Sequence, residues 1–132
     1  MATRHHAREA VVQLLFSYDL GNTEVVKHID QVLEEKKIRN KQHEFAIELF
    51  NGVMANIDHI DAVLSGHLEA WGLDRLGSVE KAILRLGTYE ILSTDLDRAV
   101  IINEAIEIAK KLAAENSPKF INGVLDAVKK GE

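Results

Sequence analysis

The feature that most constrains this chain is a helical spacing of apolar residues, in a sequence whose single proline is Pro118. In the first segment, apolar side chains recur at i, i+3, i+4 and i+7, the spacing that lines one face of an α-helix. They are Val11, Leu14, Leu15 and Tyr18. Proline disrupts helix interiors, so a chain with so little of it has few forced breaks. Alternating strand patterns joined by hairpin turns are missing, and the sequence therefore predicts an all-α fold.

Helix start and stop signals divide the chain into about six or seven predicted helices. Thr23, Asn40, Ser78 and Ser117 are the predicted N-caps, and Pro118 suits the first helical position of the last helix. In the first half, the predicted helices are about 5–20, about 24–36, a long third helix with its apolar stripe at 45–64, and a short helix at about 67–71. In the second half, they are a helix with its stripe at 79–91, one at about 98–114, and a last one with its stripe at 121–128.

A length of 132 residues suits a single domain. We expect its helices to form two adjoining bundles, an N-terminal one over about 1–72 and a C-terminal one over about 73–132. Gly87 and Gly123 lie inside predicted helices, where a glycine costs about 1 kcal/mol relative to alanine. We therefore expect both glycines to mark places where two helices approach each other closely.

Composition and charge exclude several classes of protein. The chain has no cysteine, which excludes disulfides and cysteine-ligated zinc or iron–sulfur sites. No run of about 18 apolar residues is present, and the N-terminus lacks an apolar signal region, so we expect a cytoplasmic protein without a membrane span. The net charge of −5 disfavours strong nonspecific nucleic-acid binding, but it leaves room for a local basic patch.

Motifs for catalysis or cofactor binding are not evident. Glycine-rich phosphate loops are missing. The pair His43-Glu44 resembles the start of a zinc-protease motif, but Ile47 stands where the second histidine would be needed. Two histidine–carboxylate pairs at i, i+4 offer too few ligands for a metal site. We therefore expect no catalytic residues, no metal and no cofactor, and the chain is predicted not to be an enzyme.

Four stretches of the chain carry a family resemblance: Arg4–Glu9, Val79–Leu92, Val100–Lys110 and Ser117–Asp126. Together they resemble the NusB family. The likeness extends over almost the whole chain. The resemblance implies a two-bundle helical fold and a transcription antitermination factor that binds boxA RNA in the leaders of ribosomal RNA operons. It also implies two further partners, the small-subunit ribosomal protein called NusE and the RNA polymerase antitermination complex.

The resemblance implies RNA contacts from the start of the first helix, at Arg4, His5, His6 and Arg8. Histidine stands here at two positions that could hold arginine in this arginine-rich segment of the family. Arginine is permanently charged, whereas histidine with an ordinary pKa is mostly neutral at about pH 7.5. With about two to four phosphate contacts, RNA binding should depend only weakly on salt. A solvated, frayed terminus is the alternative interpretation.

Phe16 lies on a second line of the first helix, away from the apolar stripe. At about 100° per residue it shares this line with His5, Arg8 and Val12. An aromatic ring beside basic groups is how proteins stack unpaired RNA bases, and the resemblance implies an RNA-contacting aromatic at this position. The alternative is a second buried face, because Val12 and Leu20 are close to the same line.

The resemblance implies a second RNA contact at Lys119 and Phe120, which match the family's Lys-Phe-x-Asn-Gly motif. Phe120 lies about 90° from the apolar face of the last helix, and packing at the edge of the core is the alternative. Lys119 is in the first turn, where the helix dipole disfavours a cation, so a phosphate contact is one use for it.

For the protein partner, the resemblance implies a surface on the second bundle. By position, Glu80 and the turn at Glu115-Asn116 are the candidates. Carboxylates suit a basic ribosomal protein and would govern association rate and specificity. Stabilisation of the helix dipole is the alternative interpretation for Glu80.

Two other functions stay open. One is an RNA-binding module related to the N-terminal domain of rRNA cytosine methyltransferases, although the chain has neither a glycine-rich cofactor site nor a catalytic cysteine. The other is a helical scaffold that binds only protein and would bind NusE without any effect of RNA. Arg4, Arg8 and Phe16 on one side of the first helix distinguish the RNA-binding interpretation from this scaffold.

Overall fold

A computed structural model describes residues 2–68 and 72–132, and these two ranges contain helices and no strands. The predicted all-α fold is therefore confirmed. Within the same ranges, no helix has the length and apolar character needed to cross a membrane. The α-helices are α1 (Arg4–Asp19), α2 (Ile29–Glu35), α3 (Lys41–Ala55), α4 (Ile57–Ser65), α5 (Ser78–Ser93), α6 (Arg98–Leu112) and α7 (Ser117–Ala127), with 3-10 turns at Thr23–Lys27 and Leu73–Arg75.

Helix α5 lies at the centre of the fold and packs against α1, α3, α4, α6 and α7. Every residue from Ala82 to Thr88 is buried. Most of these side chains are apolar, as expected for a helix that is buried on all sides, and the buried Arg85 is paired with Asp61. The hydroxyl of Thr88 is buried without a hydrogen-bond partner among the described residues. Helix α1 packs against both α3 and α5, so it also buries more than one face, while α6 and α7 pack against each other and against α5.

Two glycines let neighbouring helices approach α5. A Cβ atom at Gly87 would lie 2.8 Å from Cδ1 of Leu125 on α7, and a Cβ atom at Gly52 on α3 would overlap the ring of Tyr89. The expectation of close packing is therefore confirmed at Gly87. It is wrong at Gly123, because a Cβ atom there would have nothing within 4 Å.

The prediction of one long third helix with its stripe at 45–64 is wrong in one respect. The structure has two helices here, α3 and α4, which are separated at Asn56. The side-chain amide of Asn56 donates to the carbonyl of Gly52 at 2.8 Å. The backbone N–H of Asn56 donates to the same carbonyl at 3.2 Å, so the side-chain bond does not replace the helical one. The break lies in the backbone of Asn56, whose φ of −117° and ψ of 15° depart from helical values. The apolar stripe nevertheless continues into α4, where Ile60 and Leu64 are buried.

The second predicted helix is also divided, because Thr23–Lys27 forms a 3-10 turn before α2 begins. Consecutive β-branched residues have low helix propensity, and Val25 and Val26 are such a pair. The backbone N–H of His28 donates to the carbonyl of Val25 and closes the turn, which buries Val25 and leaves Val26 exposed. The short helix predicted at about 67–71 lies mostly outside the described residues.

The serines predicted as N-caps lie one position inside their helices, because α5 and α7 begin at Ser78 and Ser117 themselves. The Ser78 hydroxyl donates to Asp19 at 2.9 Å, and the Ser117 hydroxyl donates to Glu80 at 2.6 Å. Thr23 is likewise the first residue of its turn and does not cap an α-helix. The two serines therefore connect separate helices. The sequence did not indicate this role, because their partners lie 59 and 37 positions away.

Candidate nucleic-acid interface

The first turn of α1 carries Arg4, His5 and His6, three of the residues expected to contact RNA. Thr3 caps this turn, because its hydroxyl accepts from the backbone N–H of His6 at 3.3 Å. The N–H of Thr3 in turn donates to Nδ1 of His6 at 3.0 Å. This reciprocal pair is a capping box in which histidine takes the place of the usual glutamate or glutamine, which is why the sequence analysis missed it. The cap defines where α1 begins and orders its first turn.

Arg4 is exposed, and its guanidinium carbon lies 4.5 Å from the ring centre of Phe45 on α3. The guanidinium carbon of Arg8 lies 5.2 Å from the same ring centre. A cation within about 6 Å of an aromatic face is attracted by the ring quadrupole. Phe45 was expected only as part of the apolar stripe, but it also supports Arg4. The structure thus holds a permanent positive charge at the start of α1.

His5 joins α1 to α6. Its Nδ1 is hydrogen-bonded to a carboxylate oxygen of Glu104, and its Nε2 lies 3.7 Å from Glu9. Glu9 in turn forms an ion pair with Lys111 of α6 at 2.7 Å. These contacts hold the start of α1 against α6 and engage most of the His5 side chain within the protein.

Arg8 lies inside the fold, with 3% of its surface exposed. Its Nε and Nη2 donate to the two carboxylate oxygens of Glu90 on α5, at 2.9 and 2.8 Å. Burial by itself lowers the pKa of Arg8, but the hydrogen bonds to Glu90 and the charges of Glu90 and Glu104 raise it above its ordinary value. The expectation that Arg8 faces RNA is not met, because α1 packs against α5 here and an unpaired buried Glu90 would be costly.

The second line of α1, through Arg8, Val12 and Phe16, faces other helices more than solvent. Val12 is 1% exposed, and together with Arg8 it lies against residues of α5 and α6. Phe16 is half-buried and packs against the core. The alternative of a second buried face therefore describes Arg8 and Val12, whereas Phe16 keeps part of its ring at the surface.

Lys119 and Phe120 are exposed on α7. Phe120 has 40% of its surface in solvent, while the neighbouring Ile121 is fully buried. An exposed aromatic ring next to a lysine offers a stacking face and a phosphate partner together. Helix α7 packs along α6, and α6 also contacts the start of α1 through Glu104. The two groups of predicted RNA-binding residues therefore belong to helices that share α6 as a neighbour.

Glu80 lies in the first turn of α5, and its carboxylate accepts the 2.6 Å hydrogen bond from Ser117 at the start of α7. The turn before Ser117 holds Glu115 and Asn116, both exposed. The structure therefore brings the three candidates for the partner surface together, where α5 and α7 begin. Negative charge is favourable at helix N-termini, so the dipole interpretation of Glu80 fits this geometry as well.

A charged cluster between α1, α4 and α5 was not predicted. Arg85 donates through Nε and Nη2 to Asp61 at 2.9 and 2.8 Å, and its Nη1 lies 3.4 Å from Asp19. Burial raises the pKa of Asp19, but hydrogen bonds from Ser78 and Lys81 and the charges of Lys81 and Arg85 lower it below its ordinary value. These partners are between 24 and 66 positions apart, so no local pattern could have indicated them.

The described residues form an all-helical protein with basic and aromatic candidate residues on the helices beside α6, and with Glu115 in the turn before α7. Across 2–68 and 72–132, no group of three or more histidine, aspartate or glutamate side chains is arranged to hold a metal ion.

Comparison with known proteins gives the family. The profile of the NusB family matches residues 5–130. The transcription antitermination protein NusB of a Nitratiruptor species is 61% identical over 130 residues, which cover 98% of this chain and 94% of that protein. The structure of T. maritima NusB matches with a TM-score of 0.86 at 39% identity, covering 99% of this chain and 93% of that one. A crystal structure of antitermination factors NusB and NusE in complex with dsRNA matches with a TM-score of 0.85 at 34% identity, covering 95% and 94%.

The chain belongs to the NusB family. The resemblance inferred from the sequence is therefore confirmed over nearly the full length. Because this is a family of transcription antitermination factors without enzymatic activity, the prediction that the chain is not an enzyme is confirmed as well.

Proposed function

We propose that this chain is an RNA-binding antitermination factor that binds boxA RNA of ribosomal RNA operon leaders together with the ribosomal protein NusE. In this role it joins the RNA polymerase antitermination complex and supports transcription of those operons. The observation that carries the proposal is the match, over 95% of the chain, to a NusB crystallised with NusE and dsRNA.

The proposed RNA surface consists of Arg4 and His6 on α1 and of Lys119 and Phe120 on α7. Phe120 offers an exposed ring, and stacking of a base on such a ring contributes about 1–3 kcal/mol. Arg4 offers a permanent charge held over Phe45, and Lys119 a charge next to the stacking ring. This combination suits an unpaired RNA strand, whose bases are free to stack and whose phosphates need cations.

His5, Arg8 and Phe16 support this surface from within the protein. His5 holds the start of α1 against α6 through Glu104, and Arg8 fixes α1 to α5 through Glu90. Phe16 packs at the edge of the core with part of its ring at the surface, where it is available for a further contact.

The proposed surface for NusE consists of Glu80, Glu115 and Asn116. The hydrogen bond from Ser117 to Glu80 holds this carboxylate beside the turn that carries the other two residues. A cluster of negative charge attracts a basic ribosomal protein and accelerates its association.

The test is a titration of a fluorescent boxA-like RNA and a scrambled control, with and without NusE, at two salt concentrations. We expect a preference for the boxA-like RNA that NusE strengthens. Lys119→Ala combined with Phe120→Ala should weaken binding about tenfold or more, because a stacking face and a phosphate contact are lost. The control is Val26→Ala, which truncates a comparably exposed apolar side chain on the 3-10 turn.

Each outcome has a distinct meaning. Equal binding of both RNAs, with and without NusE, would overturn RNA recognition as the function. Tight binding of NusE that RNA does not change would instead support a protein-only scaffold.

A further inference from the structure

A groove of about 900 Å³ lies between α1 and the segment 36–42, which consists of the connection from α2 to α3 and the first two residues of α3. His6, Glu9 and Gln13 line the α1 wall. The other wall is the segment itself, whose sequence is Lys-Lys-Ile-Arg-Asn-Lys-Gln. Among the residues assigned above to RNA, only His6 borders this groove.

The groove is strongly basic, although the net charge of the chain is −5. Six consecutive positions of the segment hold four of the 16 lysines and arginines of the chain. Arg39 is paired with Glu34 at 2.8 Å, and Glu9, the carboxylate of the groove, is paired with Lys111 at 2.7 Å. The other three cations form no ion pair with a carboxylate in the described ranges, although Glu34, Glu35 and Glu44 flank the segment in sequence. These three cations are Lys36, Lys37 and Lys41.

The segment has a defined backbone because α2 ends in a Schellman motif. The N–H of Ile38 donates to the carbonyl of Leu33 at 2.9 Å, and the N–H of Lys37 donates to the carbonyl of Glu34 at 3.0 Å. The side chains of Ile38 and Leu33 are both buried. This apolar anchor fixes the segment to the core while the lysines on either side of Ile38 stay exposed.

Lys37 has a φ of 60°, in the left-handed region that L residues with a side chain adopt at an energetic cost. Helices that end in a Schellman motif usually carry glycine at this position. This chain has a lysine at the position instead, and lysine differs from glycine by a positively charged side chain. This observation supports a use for the Lys37 side chain only together with the charge of the groove, because Asn40 in the same segment also has a positive φ.

We propose that this groove binds the phosphate backbone of the single-stranded RNA that flanks the element held at Arg4 and Phe120, an inference that rests on the proposed function. Lysines that form no ion pair, held on an ordered segment, suit a row of phosphates. The first turn of α1 borders both the groove and the proposed RNA surface, so one strand can contact both. The lining has no exposed tryptophan, tyrosine, phenylalanine or large aliphatic side chain, the kind of anchor on which protein partners depend.

The test compares a short boxA-like RNA with the same RNA extended at either end by about ten unstructured nucleotides, a length within common single-strand site sizes. We expect the extension at one end to tighten binding about tenfold. The groove variant should lose this gain and bind the short RNA unchanged. For the extended RNA, the slope of the logarithm of the binding constant against the logarithm of salt concentration should be shallower by about 2 in this variant. This is the change expected for three lost phosphate contacts. The groove variant is Lys36→Gln/Lys37→Gln/Lys41→Gln, and the control of equal charge is Lys27→Gln/Lys129→Gln/Lys130→Gln.

The outcomes separate the two proposals. If the short RNA binds and neither extension tightens binding, the groove proposal fails and the proposed function stands; if no RNA binds, both fail. An equal loss in the control variant, or an equal loss on the short RNA, would overturn the groove proposal as a general charge effect. As competitors of the extended RNA, a polyglutamate peptide and an unstructured RNA are compared at the same charge concentration. A stronger effect of polyglutamate would overturn the RNA assignment in favour of an acidic protein segment.

The variant Lys37→Gly separates charge from folding. It removes one cation and relieves the left-handed strain, so the midpoint of thermal unfolding should rise by a few degrees while binding of the extended RNA weakens. A lower midpoint with unchanged binding would show that the lysine serves the fold and would contradict the proposal.

Discussion

Arg8 of α1 and Glu90 of α5 form a bidentate ion pair whose side chains are only 4% and 1% exposed. The two residues are 82 positions apart, and their contact links the first helix to the central one. Removing one partner of a buried pair leaves an uncompensated charge, which costs far more than the net contribution of the pair. Arg8, although part of the N-terminal segment, therefore stabilises the packing of α1 against α5.

We expect Arg8→Ala to lower the free energy of unfolding by about 3–5 kcal/mol, because Glu90 remains buried without its partner. Arg8→Met combined with Glu90→Leu should restore much of the loss, since no charge is then left unpaired. Denaturant unfolding of the three proteins measures both effects. Unchanged stability of Arg8→Ala together with weaker RNA binding would show instead that Arg8 contacts RNA directly.

Two glycine-to-alanine substitutions should change the free energy of unfolding in opposite directions. Gly52→Ala should destabilise the protein by about 1–3 kcal/mol, because its Cβ would overlap the ring of Tyr89 where α3 meets α5. Gly123→Ala should stabilise it by about 0.5–1 kcal/mol, because the position is helical, exposed and surrounded by open space. Denaturant unfolding measures both, and a shift of the same sign in the two variants would contradict the packing described here.

The lowered pKa of Asp19 predicts a loss of stability in acid. Its contribution is fully present above the ordinary value of 3.8 and is lost as the pH falls through the lower value of the folded state. Denaturant unfolding between about pH 7 and pH 2.5 should therefore show a smaller acid-induced loss for Asp19→Asn than for the wild type. Ser78→Ala should be intermediate, because it removes one hydrogen bond that lowers this pKa. If the stability of all three proteins had the same pH dependence, Asp19 would not be a cause of the loss of stability in acid.

Glu80→Gln isolates the charge of the proposed NusE surface. The amide oxygen still accepts from Ser117, so the local structure is kept while the negative charge is removed. We expect the association rate constant with NusE to fall severalfold at low salt and the difference to shrink at high salt. Rapid-mixing kinetics measure this, with Glu48→Gln on the exposed side of α3 as the control. Equal rates for both variants would exclude Glu80 from the interface.

The helices of the second half were predictable because their signals are local. The helix predicted at about 98–114 is observed as Arg98–Leu112, and Pro118, predicted as the first residue of the last helix, is the second residue of α7. The break at Asn56 was missed because the apolar stripe continues across it, while the change lies in the backbone dihedral angles of one residue. The 3-10 turn at Thr23–Lys27 was missed because its apolar spacing also fits an α-helix.

The candidate site was predictable only in part. Phe120 lies at the surface, as its angular distance from the apolar face of the last helix indicated. Phe45 was assigned to the core stripe, but it lies beneath two guanidinium groups, one of which belongs to Arg4. The basic segment 36–41 is visible in the sequence, but the groove it forms requires α1 as the opposite wall.

The sequence by itself determined the helical class and the family, because apolar spacing, the scarcity of proline and the family motifs are properties of neighbouring residues. Only the tertiary structure decided which charges are available to a ligand. Arg4 and Arg8 are one helical turn apart on α1, yet Arg4 is exposed and Arg8 is buried against Glu90. The physical reason is that burial depends on how α5 and α6 pack against α1, and those contacts join residues too far apart for any local pattern to record.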